Sequence, residues 1–222
     1  MPPDSATVDF IAATQAPSGA IPWWPGGRVD PWNHIESAMG LDAGGRHDAA
    51  TRAYVWLAQT QRPDGAWPAG YLDGAVIDPT LDANFSSYVG AGVWHHWLAT
   101  EDDRFLADLW PVVEAAIEFT LSLQRDDGTI CWARDASYRP WPGALLTSCS
   151  CIHLSLRCAI SIAETLGHER PDWELSLETL VQAVTHSPDA FEPKDRFSMD
   201  WYYPVLGGVL RDGRGNHRLK QE

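Results

Sequence analysis

The sequence predicts an all-α protein built as about four helical hairpins laid side by side. Three observations carry this. A short cassette recurs three times, the apolar residues between its copies fall at helical spacing, and no stretch shows the two-residue alternation of a strand or a hairpin turn. The cassette reads Gln15-Ala-Pro-Ser-Gly19, then Gln61-Arg-Pro-Asp-Gly65, then Gln124-Arg-Asp-Asp-Gly128. Each copy is followed by tryptophan: Trp23 and Trp24, Trp67, and Trp132. In each, the Gln closes an apolar run and the Ser-Gly or Asp-Gly pair supplies the turn that stops it. The intervals of 46 and 63 residues suit a hairpin plus a variable loop.

Taken in order, the first apolar run, FIAATQ, ends on Gln15. Asp30-Pro31 then places an N-cap acid before a proline at the first helical position, and Asp78-Pro79 does the same further on. Ala50, Ala53, Tyr54 and Leu57 make one apolar stripe between them. A second follows in Leu106, Leu109, Val113, Ala116 and Thr120, and a third in Ile152, Leu156, Ala159, Ala163 and Leu166. Trp173, Leu177, Leu180 and Val184 form a fourth, before a last helical stretch, WYYPVLGGVL. Residues 1–210 read as a single domain. Residues 211–222 hold 4 of the 16 Lys and Arg in RDGRGNHRLKQE and read as a flexible or aberrant tail, either solvated or a truncated end.

The 45% hydrophobic content excludes a disordered chain. A formal charge of −14 argues against a nucleic-acid partner, which asks for Lys and Arg to replace phosphate counterions. The start, MPPDSATVDF, lacks the basic and apolar regions of a secretory signal. The most apolar stretch, Ala144 to Leu166, is interrupted by Ser148, Ser150, His153 and Arg157, so no membrane span is expected and the cytoplasm is the default location. Cys131, Cys149, Cys151 and Cys158 read as buried thiols. Neither the cysteines nor the histidines form a metal-ligand pattern, so no metal and no cofactor are expected. Nucleophile-elbow, phosphate-loop and dinucleotide motifs are missing, which leaves acyl, phosphoryl and hydride transfer without support.

Twelve Trp are the compositional outlier, and they gather near acids. DPWNHIESAM packs Asp30, Trp32, Asn33, His34 and Glu36 into one helix start beside Trp23 and Trp24. DPTLDANFSSY repeats the theme with Asp78, Asp82 and Asn84. Asp135 lies among Trp132, Tyr138 and Trp141, and Asp200 precedes Trp201, Tyr202 and Tyr203. Four hairpins thus each bring an acid and aromatics to the same relative place, which in side-by-side hairpins is one rim. Paired carboxylates are the minimal machinery of glycoside hydrolysis, one as general acid and one as base or nucleophile. Asp30 is the first candidate for the base that activates water, Asp200 its candidate partner, and Glu36 a further catalytic candidate. Trp23, Trp24, Trp32, Asn33, His34, Trp67, Asp82, Asn84, Trp132 and Tyr202 are candidates for binding the saccharide, with Asp82 also a spare carboxylate.

The cassette from Gln61 to Trp67 resembles the QW-type repeats of terpenoid cyclases, within the α/α-toroid proteins often labelled prenyltransferase-like. NFSSYVGAGVWHHWLATEDDRFLADLWPVVEAAIEF, from Asn84 to Phe119, is similar to the middle of a six-hairpin glycosidase. GAIPWWPGGRVDPWNHIESAMGL, from Gly19 to Leu41, resembles actinobacterial toroids of that type, among them the endo-acting mannosidases of methylated mannose polysaccharides. The resemblance implies an incomplete (α/α)6 toroid and an intracellular glycoside hydrolase acting on a polysaccharide or oligosaccharide. The alternatives are an isoprenoid-binding toroid, which would want an Asp-rich DxDD motif or a zinc site that the sequence lacks, and a non-catalytic carbohydrate-binding arc. Six hairpins at the interval seen here need about 330 residues by the same repeat arithmetic. A shorter arc is then a piece of a longer protein, an open arc, or one half of a homodimer closed through its open edge.

Overall fold

The computed structural model describes residues 5–135, 137–194 and 198–220. Four hairpins follow one another. The first pairs α1 (Ser5–Thr14) with α2 (Pro31–Ala43), and the second pairs α3 (His47–Thr60) with α4 (Ala83–Ser87) and α5 (Val89–Thr100). The third pairs α6 (Asp103–Leu121) with α7 (Leu146–Leu166), and the fourth brings α8 (Pro171–His186) and α9 (Ser198–Leu206). Helices α2, α4–α5, α7 and α9 pack in succession as the inner row, with α1, α3, α6 and α8 outside them. A last helix, α10 (Asp212–Arg218), occupies the stretch read as a tail. It is tied back to α9 where Arg218 donates to the carbonyls of Asp200 and Trp201.

The cassette is the joint between outer helices. Gln15 Nε2 donates to Gly19 O in its own turn and to Ala49 O on α3, at 3.0 and 2.9 Å. Gln61 does the same to Gly65 O and Val112 O of α6, and Gln124 to Gly128 O and Ser176 O of α8. The closing glycines, Gly19, Gly65 and Gly128, share a left-handed φ of 96°, 87° and 83°. A Cβ on Gly65 would sit 2.0 Å from Ala115 O, so a side chain is excluded by contact as well as by conformation. The apolar stripes fall where helical spacing puts them. Tyr54, Leu57, Leu106, Val113, Ile152, Leu156, Ala159, Trp173 and Leu180 are fully buried. Helix α7 has the length and composition of a membrane span, yet 67% of its apolar window is buried inside the protein, as in a core helix.

One expectation fails. The segment between α3 and α4 is an antiparallel hairpin, β1 (Pro68–Leu72) with β2 (Ala75–Asp82), to which β3 (Ala133–Arg134) adds a third strand. Its turn is Asp73-Gly74, both at positive φ (49° and 77°), the Asp-Gly pair that tight hairpins favour. Asp78-Pro79 therefore does not start a helix but lies within β2, where Pro79 is tolerated. The true cap is Asp82, four residues on.

Candidate active site

The site is built from the starts of the inner helices. Asp30 is the N-cap of α2: its Oδ1 accepts from Asn33 N at 2.9 Å. Asn33 Nδ2 reaches both carboxylate oxygens, at 3.2 and 3.0 Å, and Trp23 Nε1 donates to Oδ2. The residue is 1% exposed and every partner is a donor, at a helix end whose dipole favours negative charge. Val29, next to it, bridges to Tyr71 of β1, which fixes the entry to the helix.

Asp82 caps α4 by accepting from Phe85 N at 2.9 Å. Its register opposite Ala133, and the bond from Ala83 N to Trp132 O, pin the strand end that carries it. Part of the residue is open to solvent, but its carboxyl is packed round by protein, and burial pushes it up from 3.8 to about 7. The backbone N–H groups of Phe85 and Asn84 oppose that rise, and the charges of Asp30 and Asp78 add to it. The caps of two successive inner helices are thus electrostatic neighbours.

Deeper in the arc, Tyr88 Oη donates to Glu36 Oε1 at 2.5 Å, and the Tyr88 ring stacks on Trp32 at 4.0 Å and 14°. Burial, then Glu36, holds the Tyr88 hydroxyl well above its ordinary value. The Cys151 thiol is raised by burial and by the charges of Glu36 and Asp82, and Tyr203 is pushed up to about 12, mainly by burial. Glu36, Asp82, Tyr88, Cys151 and Tyr203 come from four inner elements and are electrostatic neighbours. The sequence marks Cys151 only as a buried thiol and Tyr203 only as an aromatic after Asp200. It does not single out Tyr88, whose place one turn after Asn84 is the one periodic hint of it.

The other candidates divide. Trp23 and Trp24 present exposed rings, 6.2 Å apart edge to face, with Arg28 over Trp23 at 5.2 Å. Trp132 and Trp141 pair at 5.5 Å. Tyr202 is half-buried beside Tyr203, and Asn84 is buried with its amide oxygen unpaired. Trp67 and His34 belong to the core instead of the rim. Trp67 is fully buried and donates to Leu57 O. His34 accepts from Ile21 N on Nδ1 and bonds Ala53 O through Nε2, and burial lowers it to about 4, so it stays neutral. Asp200 does not meet Asp30. Its carboxylate accepts from Thr147 N and Oγ1 (3.2 and 2.5 Å), and so caps α7, whose own N-cap is Leu145. Asp135 closes an exposed turn through Ser137 and Arg139. Among the described residues no His, Cys, Asp and Glu group is arranged to hold a metal.

Four hairpins in this order, with acids at the starts of inner helices, can be set beside known structures. The chain superposes on the rhamnosidase from Klebsiella oxytoca with a TM-score of 0.66 at 17% identity, over 96% of this chain and 46% of that one. An unsaturated glucuronyl hydrolase specific for heparin gives 0.63 at 17% identity, over 88% and 57%. The fold is an arc of four hairpins of the α/α toroid. No family model matches the sequence. In sequence the toroid is 46% identical over 215 residues to the MMP endo-(1,4)-3-O-methyl-alpha-D-mannosidase of Mycolicibacterium hassiacum. That match covers 97% of this chain, which spans 60% of the length of its relative.

Proposed function

We propose that this toroid carries a glycoside-hydrolase site for an α-(1,4)-linked, 3-O-methylated mannose polymer, cut from within. The observation that carries the reading is the carboxylate pair at adjacent helix starts. Asp82 is held protonated to about pH 7, and Asp30 is surrounded by donors alone. A carboxyl kept protonated beside one whose oxygens meet only donors supplies an acid and an acceptor. Asp82 donates its proton to the leaving glycosidic oxygen, and Asp30 acts as the base that activates water. Glu36 offers an acceptor to a sugar hydroxyl, and the exposed rings of Trp23 and Trp24 offer aromatic surface on the rim. A cluster of carboxylates and tyrosine hydroxyls suits a saccharide better than an isoprenoid. The substrate class comes from the named mannosidase, the 46% identical relative.

The test is hydrolysis of 3-O-methylated α-(1,4)-manno-oligosaccharides by the chain and by Asp30→Asn and Asp82→Asn. Each substitution is expected to lower kcat by about 10²–10⁴ with sugar binding kept. Unchanged turnover in Asp30→Asn would sink the assignment of the base.

A further inference from the structure

A cavity lies outside the carboxylate site. It has a volume of about 490 Å3, between the Pro22–Val29 loop and the turn of the β1–β2 hairpin. Thr14, Pro22, Pro25, Trp56, Tyr71 and Asp73 are among its walls. Two of them are polar side chains with nothing to bond. Tyr71 is 6% exposed and Thr14 8%, and both hydroxyls are buried without a partner. Buried hydroxyls are normally satisfied, and leaving one unmade costs about 1–3 kcal/mol. Both residues belong to the wall of this cavity, so a hydroxylated ligand that displaces the packing over them would find two partners there.

We infer that this cavity holds one neutral pyranose unit of the saccharide chain, away from the point of cleavage. Its shape and chemistry choose that ligand. Trp56 and Tyr71 meet edge to face at 5.4 Å and, with the two prolines, offer the apolar surface that sugar C–H bonds cover. The unpaired Thr14 and Tyr71 hydroxyls suit sugar hydroxyls. Asp73 is the one charged residue in the wall, so an anion is disfavoured. The path to the carboxylates is short. A smaller adjoining cavity, about 240 Å3, shares Thr14 and Pro22 with this one and is lined by Trp23 and Asn33, the two partners of Asp30. A polymer cut from within extends past the cleaved bond, and this cavity is where its extension would seat. The choice of ligand rests on the glycoside-hydrolase reading; the cavity does not.

The experiment is a calorimetric titration of the Asp30→Asn chain with 3-O-methylated α-(1,4)-manno-oligosaccharides of increasing length. Tyr71→Phe and Ser18→Trp are each added to that background; exposed Ser18 also lines the cavity, and the Trp would fill it. Long oligomers are expected to bind about tenfold more weakly in either variant, the loss of one good hydrogen bond, with short ones unchanged. Tyr71→Phe removes a buried, unbonded hydroxyl, so its thermal stability should equal or exceed the parent's and keep the result readable. If the unmodified chain hydrolyses the oligomers but neither variant alters the dependence on length, the second site is refuted and the enzyme reading stands. Length-dependent binding that Ser18→Trp abolishes, in a chain that hydrolyses nothing, supports the cavity and overturns the enzyme reading. Absence of any saccharide binding overturns both.

Discussion

Replacing Asp82 by Asn should make the protein more stable in mild alkali and nearly unchanged in acid. In the folded chain burial raises the carboxyl from 3.8 to about 7, so the native state binds this proton more tightly than the unfolded one. Below the unfolded value both states are protonated and Asp82 costs nothing. As pH rises from 3.8 to about 7 the unfolded chain ionises first, and native stability falls; above that the penalty is constant. At about 1.4 kcal/mol per tenfold change in proton affinity, the full penalty is on the order of 4 kcal/mol, an upper bound because solvent reaches part of the residue. Asn caps a helix about as well as Asp, so the bond from Phe85 N survives the exchange. Urea unfolding followed by tryptophan fluorescence, at about pH 4 and about pH 8.5, reads the difference. A gain of ~2–4 kcal/mol at the higher pH and less than ~1 kcal/mol at the lower is expected. Equal effects at both values, or a loss in alkali, would refute the protonation argument. Under the proposed function the same variant should also lose hydrolysis of 3-O-methylated manno-oligosaccharides, an exchange of stability for a poised acid.

Two further outcomes follow from other parts of the fold. Gln61→Ala removes two 2.9 Å bonds to Gly65 O and Val112 O, and should cost about 1–3 kcal/mol in urea unfolding, with Gln15→Ala and Gln124→Ala alike. The Asp42 carboxyl is raised by burial but lowered more by the imidazoles of His95, His96 and His47, which bring it down to about 2. Its stabilisation is therefore present above 3.8 and lost as pH falls towards 2, so Asp42→Asn should cost about 2 kcal/mol at neutral pH and should flatten that stretch of an acid-unfolding curve.

The helices were legible because their apolar stripes repeat over many residues, as in Leu106 to Thr120, and because the Asp30-Pro31 cap agrees with the stripe that follows. The hairpin was hidden although Asp73-Gly74 is a strong turn signal. Its flanks are short, β2 contains Pro79, and the exposed Val76 and Ile77 break the alternation that a half-buried strand would show. Asp78 and Asp82 are both acids near a helix start; only the ladder to β3 decides between them. Trp67 could not be told from Trp23 by its neighbours, since a Trp after a Gly turn serves as platform or core equally well. Tyr88, Cys151 and Tyr203 meet through packing of three hairpins, information that no local window contains.

The glutamine joints have a mechanical consequence. Each reaches from the end of one outer helix to the next outer helix and no farther, so none of the three spans two intervals. Coupling along the arc is therefore between neighbours, as in stacked repeats, and a break at one joint should let the shorter side unzip while the longer side holds. Amide exchange in Gln124→Ala would show this as fast opening of α8 with α3 still protected. The inner row is joined by bonds that differ from step to step, Tyr88 to Glu36 and Thr147 to Asp200, so its helix starts carry different side chains while the outer row keeps the spacing.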